Sequence, residues 1–342
     1  MTSSSGSQEN CPPSHLTDTG MLQSRKTVAI TGASGFIGRH VASRLQQGGV
    51  AVQPIVLPHD PQNSGGLEDR LRRELIGKSA VVHLAARVHR AYDPGERPSV
   101  YEWANVELTR ILLTAAGAAG VGTFVFASSV KAVGEKSDTP FTEATIPSPV
   151  GAYAQSKLAG ERIVAEQGRA LGLRTVSLRF PLVYGPGMRA NMFRLFRAVN
   201  RGVPLPLGAA NGRRSLLYVG NAVTAIEVSL DDTGAEAGIF FVRDSEDVST
   251  SELVRAVARS LGRPPHLMTV PLGLLRGAGR IGDWISQIVR CPIDSAMISR
   301  LLDPLQVDDS SIRARLGYAP RFSLPEGLAD TAGWFVSLNG AD

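Results

Sequence analysis

The chain has 342 residues, 43% of them hydrophobic and 20% charged, with a formal net charge of +5. That balance describes a soluble protein large enough for one big α/β unit with an elaborated end, or for two domains. Two cysteines, Cys11 and Cys291, exclude a disulfide framework and fit a reducing, cytoplasmic setting, while six dispersed histidines leave no metal-ligand spacing. The 36 Lys and Arg residues are scattered, so no nucleic-acid arm is expected, and no apolar run is long enough for membrane insertion.

Residues 1–24 are polar, lack the apolar centre of a secretory signal, and are expected to form a disordered tail. "KTVAI" (26–30) predicts a strand running into "TGASGFIG", followed by a helical pattern that carries Val41 and Leu45. Further strands are predicted over 50–57, 79–86, 122–129 and 174–180, and helices over 106–120 and 152–168. Alternation of this kind predicts a parallel sheet covered by helices on both faces. Beyond residue 180 the alternation weakens. Helices are predicted over 191–202 and 248–262, the second with a Ser/Thr cap and a closing Gly262, and prolines punctuate 264–325.

"TGASGFIG" places Gly32, Gly35 and Gly38 directly after a strand and at a helix start. A dinucleotide needs this arrangement: a tight turn, close backbone approach to the pyrophosphate, and helix N–H groups facing the anion. Ser34, Phe36 and Ile37 lie in the same turn. An acid at the end of the second strand would hold the ribose hydroxyls. "PIVLPHD" puts Val56 and Leu57 there, Asp60 comes late, and no arginine follows to take a 2′-phosphate, although Arg39 lies just past the third glycine. NAD and NADP both stay open.

In "GAYAQSK" (151–157), Tyr153 and Lys157 share one helix face at i and i+4. A phenol with a pKa of about 10 is a poor base, and a neighbouring ammonium stabilises its phenolate. Such a tyrosine exchanges a proton with a hydroxyl or carbonyl undergoing hydride transfer. Alone, the pair reads better as a surface Tyr and Lys. Ser129, ending the fourth strand, gives it a partner at the sheet edge where α/β active sites lie.

These stretches, with "VVHLAA" (81–86), "NVELT" (105–109), "FVFASSVKAVG" (124–134), "LRFPLVYGPG" (178–187) and "RRSLLYV" (213–219), resemble the extended short-chain dehydrogenase/reductases. The likeness is to their nucleotide-sugar epimerase, dehydratase and reductase branch, over about residues 26–335. It implies an α/β fold, a doubly wound Rossmann sheet with a smaller C-terminal substrate lobe. The organisation it implies is a cofactor domain over 25–180, later strands from about 215–245, and a sugar-binding lobe over 181–342. It assigns catalysis to Ser129, Tyr153 and Lys157, and cofactor binding to Gly32 through Gly38 with His83, Leu84, Ala85 and Ala86. It places Asn191 near the sugar or phosphates, Arg214 and Arg300 on the diphosphate, and Lys131 and His89 within reach of the sugar. A UDP-sugar substrate and a homodimer built by pairing the helices at 102–120 and 152–170 are further implications.

The branch also frames the choice of reaction. Dehydratases carry an acidic pair after the strand-four hydroxyl, whereas Ser129 is followed by Val130 and Lys131, which excludes that reaction. The missing acid after strand two favours a reductase that exchanges its NAD(P)H over a 4-epimerase that retains NAD. The subgroup most resembled makes UDP-N-acetylquinovosamine or UDP-N-acetylfucosamine from a 4-keto precursor for O-antigen and other surface polysaccharides. Phe180 and Val133 depart from the branch's usual Pro and Tyr, at positions expected to shape the pocket.

Overall fold

The computed structural model describes residues 26–88, 97–231, 237–285 and 295–339. The expected tail at 1–24, and His89, lie outside the described residues.

The layers follow from alternation within short apolar strands. In β1 (Thr27–Thr31), Val28 and Ile30 turn to one face, Ala29 turns to the other, and all three are buried. A strand buried on both faces belongs inside a helix–sheet–helix sandwich. The chain continues through α1 (Phe36–Gln47), β2 (Ala51–Ile55), α2 (Leu67–Leu75), β3 (Ala80–His83) and a short α3 (Pro98–Tyr101). A π-helical turn at Glu102–Glu107 leads into α4 (Leu108–Ala118), then β4 (Thr123–Ser129), α5 (Gly151–Ala170) and β5 (Arg174–Phe180). Next come β6 (Leu182–Tyr184), α6 (Ala190–Asn200), β7 (Arg213–Arg214), β8 (Leu216–Tyr218), α7 (Val219–Ser229) and β9 (Gly238–Phe241). The last elements are β10 (Val248–Ser249), α8 (Thr250–Ser260), α9 (Leu272–Ile285), α10 (Ser295–Leu302), α11 (Ser310–Leu316) and α12 (Leu324–Asn339).

Six strands form one parallel sheet in the order β2-β1-β3-β4-β5-β9. Helices α1 and α7 cover one face, and α2, α4 and α5 cover the other. The order reverses beside β1, which opens a crevice at the carboxyl ends of β1 and β3.

The structure refines several sequence expectations. Strand β2 stops at Ile55 rather than 57, and Pro54 is tolerated in it because β2 is an edge strand. Strand β3 stops at His83, so Leu84 to Ala86 form a turn above the sheet. No element is expected over 58–78, yet Leu67, Leu71 and Leu75, four apart among charges, give α2 a buried face. Of the later strands, β9 joins the main sheet, whereas β8 pairs with β6 in a separate small sheet. Strand β7 pairs antiparallel with β10.

The C-terminal elements have their own core, with Phe196 of α6, Val257 of α8 and Phe335 of α12 fully buried. Helix α8 starts at a reciprocal cap: the Ser249 hydroxyl accepts the Glu252 N–H, and the Glu252 carboxylate accepts the Ser249 N–H at 2.8 Å. Among the described residues, no helix is long and apolar enough to cross a membrane.

Candidate active site

The glycine turn is shaped by contacts that exclude side chains. A Cβ at Gly38 would lie 2.1 Å from the Gly32 carbonyl oxygen, and one at Gly32 would lie 2.7 Å from the Ala85 nitrogen. Gly32 also has φ +70°, a conformation that favours glycine. Backbone is therefore what a ligand meets here, at the N-terminus of a twelve-residue helix capped by Gly35. Ser34 and Gly35 are exposed on the turn, while Phe36 and Ile37 lean back onto apolar clusters. The 84–86 turn is tied to the same place: the Thr31 hydroxyl accepts the Ala85 N–H at 3.2 Å, and the Thr31 carbonyl accepts the Leu84 N–H. From the other side, the loop at Gly185–Gly187 packs against α1, with His40 bonded to the Pro186 carbonyl at 2.8 Å. These residues fit a bound dinucleotide.

Ser129 and Tyr153 meet at the carboxyl end of β4, and Lys157 follows one turn along α5. Ser129 ends β4, and its hydroxyl hydrogen-bonds that of Tyr153. Tyr153 packs edge-on against Tyr101, and burial raises its pKa while the Ser129 bond lowers it. Lys157 is buried; its ammonium donates to the Ala127 carbonyl at 2.8 Å and lies 4.8 Å above the Phe126 ring. Burial lowers its pKa to about 8, and the Glu161 carboxylate opposes the fall.

Three supporting residues were not anticipated. Glu161 continues the helical ladder one turn beyond Lys157, fully buried, and its carboxylate takes two bonds from Arg179 of β5, at 3.0 and 2.7 Å. It also accepts from Ser128 at 2.5 Å, because the β4–β5 register sets Ser128 beside Arg179. Asn105, buried in the π-helical turn, accepts the Arg87 N–H at 2.7 Å and donates to Ser156, whose hydroxyl donates to the Tyr153 carbonyl. The turn after β3 is thus locked to the helix that carries the tyrosine. His83 bridges Thr31 and Thr109, and burial first, then Lys157, lower its pKa to about 3, so it is neutral. The spacing Tyr153–Lys157–Glu161 was a readable signal for Glu161; Arg179 and Asn105 arrive through pairing across the fold.

Three of the expected substrate contacts, Lys131, Arg214 and Arg300, lie near one another. Lys131 pairs with Glu135 at 2.9 Å. Arg214 is pushed below its ordinary pKa by burial and by Arg300, while Asp303 and Glu135 oppose that shift, so the structure gathers Lys131, Glu135, Arg214 and Arg300 into one charged cluster. Asn191 is exposed on the first turn of α6, after Ala190, whose φ of +58° forces the angle at which that helix begins. Phe180 and Val133, expected to shape the pocket, are buried in apolar clusters. Among the described residues, no group of three His, Cys, Asp or Glu side chains is placed to hold a metal ion.

A parallel sheet of this order, with a glycine turn opening its first helix at the switch point, defines a dinucleotide-binding α/β protein. Residues 28–242 match the model of the NAD dependent epimerase/dehydratase family, and the chain belongs to that family. It is similar to a UDP-glucose 4-epimerase of Vibrio cholerae, 30% identical over 94% of this chain and 99% of the relative. It is also similar to the N-acetyl-alpha-D-glucosaminyl-diphospho-ditrans,octacis-undecaprenol 4-epimerase of Escherichia coli O157:H7, at 28% over 89% of this chain and 93% of that one. Among solved structures, MoeE5 in complex with UDP-glucose and NAD superposes with a TM-score of 0.69 and 28% identity, covering 92% of this chain and all of that one.

Proposed function

We propose that the protein reduces the C4 ketone of a UDP-4-keto-6-deoxy-N-acetylhexosamine, using a reduced nicotinamide dinucleotide. The observation that carries the reading is the hydrogen bond between Ser129 and Tyr153 at the carboxyl end of β4, with the buried Lys157 one turn along α5 and the glycine turn at the carboxyl end of β1 in the same parallel sheet. A reduced nicotinamide dinucleotide held by the Gly32–Gly38 turn and the 84–86 segment would supply the hydride. The Tyr153 hydroxyl gives its proton to O4 as negative charge develops there, and Ser129 donates a hydrogen bond to the same oxygen. Lys157 stabilises the resulting phenolate, and solvent restores the proton. Arg214 and Arg300 are suited to the diphosphate, where a guanidinium fork matches phosphate oxygens. A UDP-sugar is supported by the relatives named for UDP-glucose and by the MoeE5 complex.

The second reading is a UDP-hexose 4-epimerase, which the name of the Vibrio cholerae relative favours. The same three side chains serve both reactions, and net cofactor oxidation separates them. Tyr153→Phe tests the shared core. It removes one hydroxyl from a partly buried ring, so the fold and dinucleotide affinity should persist while turnover falls about 10²–10⁴-fold. Unchanged turnover in that variant would refute the assignment.

A further inference from the structure

The register of β1 on β2 sets Ile55 beside Thr31, so the chain leaves β2 at Val56 next to the point where Gly32 opens the glycine turn. In a doubly wound sheet the adenosine ribose lies there. An acid at that point holds the ribose hydroxyls, and an arginine accommodates a 2′-phosphate. Val56 is 73% exposed and Leu57 follows it. The nearby acid, Asp60, caps its own turn by accepting the Gln62 N–H at 2.9 Å.

A cavity of about 530 Å³ opens at this place. Two arginines, Arg70 and Arg73, line it, and no carboxylate does. Arg70 reaches back from α2 and donates from Nη2 to the Val56 carbonyl at 2.9 Å, which sets its guanidinium against the residue where an acid would stand. Its Nη1 lies 3.6 Å from Glu74, which is outside the lining. Gly66, at the start of α2, has φ +67°, and a Cβ there would meet nothing within 4 Å, so the backbone beside the arginines is open.

We propose that Arg70 and Arg73 form a subsite for a phosphate on the adenosine 2′-oxygen, so that the chain binds NADPH in preference to NADH. A phosphomonoester carries close to two negative charges near neutrality, and guanidinium groups bind its oxygens through charge-assisted hydrogen bonds. A site without a carboxylate neither repels that phosphate nor holds the free ribose diol. The assignment rests on the dinucleotide reading of the Gly32–Gly38 turn and deepens it.

Calorimetric titration of the full chain with NADPH and with NADH, in the absence of sugar, tests the subsite independently of turnover. NADPH should bind about tenfold tighter or more. Arg70→Ala should weaken NADPH about tenfold while leaving NADH within about twofold, and Arg73→Ala should act in the same direction. Val56→Asp should invert the preference towards NADH. NADH binding as tightly as NADPH, or Arg70→Ala weakening both equally, would overturn the subsite and leave the dinucleotide reading intact. Binding of neither would overturn both.

Discussion

Lys157 is an ammonium held out of water, and its neighbours decide over what range it stays charged. Burial lowers its pKa to about 8, while Glu161, one turn along α5, favours the charged form. Catalysis that needs the protonated lysine should therefore be full below that value and decline as pH rises through about 8. Glu161→Gln removes the group that favours the ammonium, so the declining limb of the turnover profile should move to lower pH. A profile unmoved in a folded Glu161→Gln protein would contradict this role. The same substitution strands Arg179, 4% exposed, without its carboxylate, a loss of about 3–5 kcal/mol in thermal or denaturant unfolding. The placing of Tyr153 and Lys157 on one helix face was legible in the sequence because a helix writes its face at a spacing of four. Arg179 was not legible, since it arrives through strand pairing with Ser128.

At the scale of elements, the glycine turn shows what a single methyl group does. Gly38→Ala would drive a Cβ to 2.1 Å from the Gly32 carbonyl, so the turn must open and dinucleotide affinity, read by calorimetry, should fall more than tenfold. Helix α8 offers a milder test. Ser249→Ala removes one half of its reciprocal cap, at a cost of about 1 kcal/mol, visible as a melting temperature lower by about 1–2 °C. Strand β5 was readable to the residue, because Val176, Leu178 and Phe180 alternate with Thr175, Ser177 and Arg179 between the breakers Gly172 and Pro181. Helix α2 was hidden in a strongly charged stretch where only three leucines carry the period. That omission also hid Arg70, which stands fourteen residues beyond Val56 in sequence and 2.9 Å from its carbonyl in space.

Across the whole molecule, the layered sheet followed from alternation, and the C-terminal half did not, because its short strands pair with distant partners: β7 with β10, β6 with β8. The aromatic packing there is dense. Phe196, fully buried against Phe335 at 5.7 Å between ring centres, should cost about 3–5 kcal/mol on truncation to alanine, measured by denaturant unfolding. The glycine turn, Arg70 with Arg73, and the Ser129–Tyr153–Lys157 group all come from the first half of the chain, and together they support one proposed reaction. The most direct test supplies the purified enzyme with UDP-4-keto-6-deoxy-N-acetylglucosamine and one equivalent of NADPH or NADH, and follows the loss of reduced-nicotinamide absorbance. Stoichiometric oxidation, faster with NADPH and abolished by Tyr153→Phe, is the predicted result. Interconversion of UDP-hexoses with no net oxidation of cofactor would contradict the reductase and establish the epimerase.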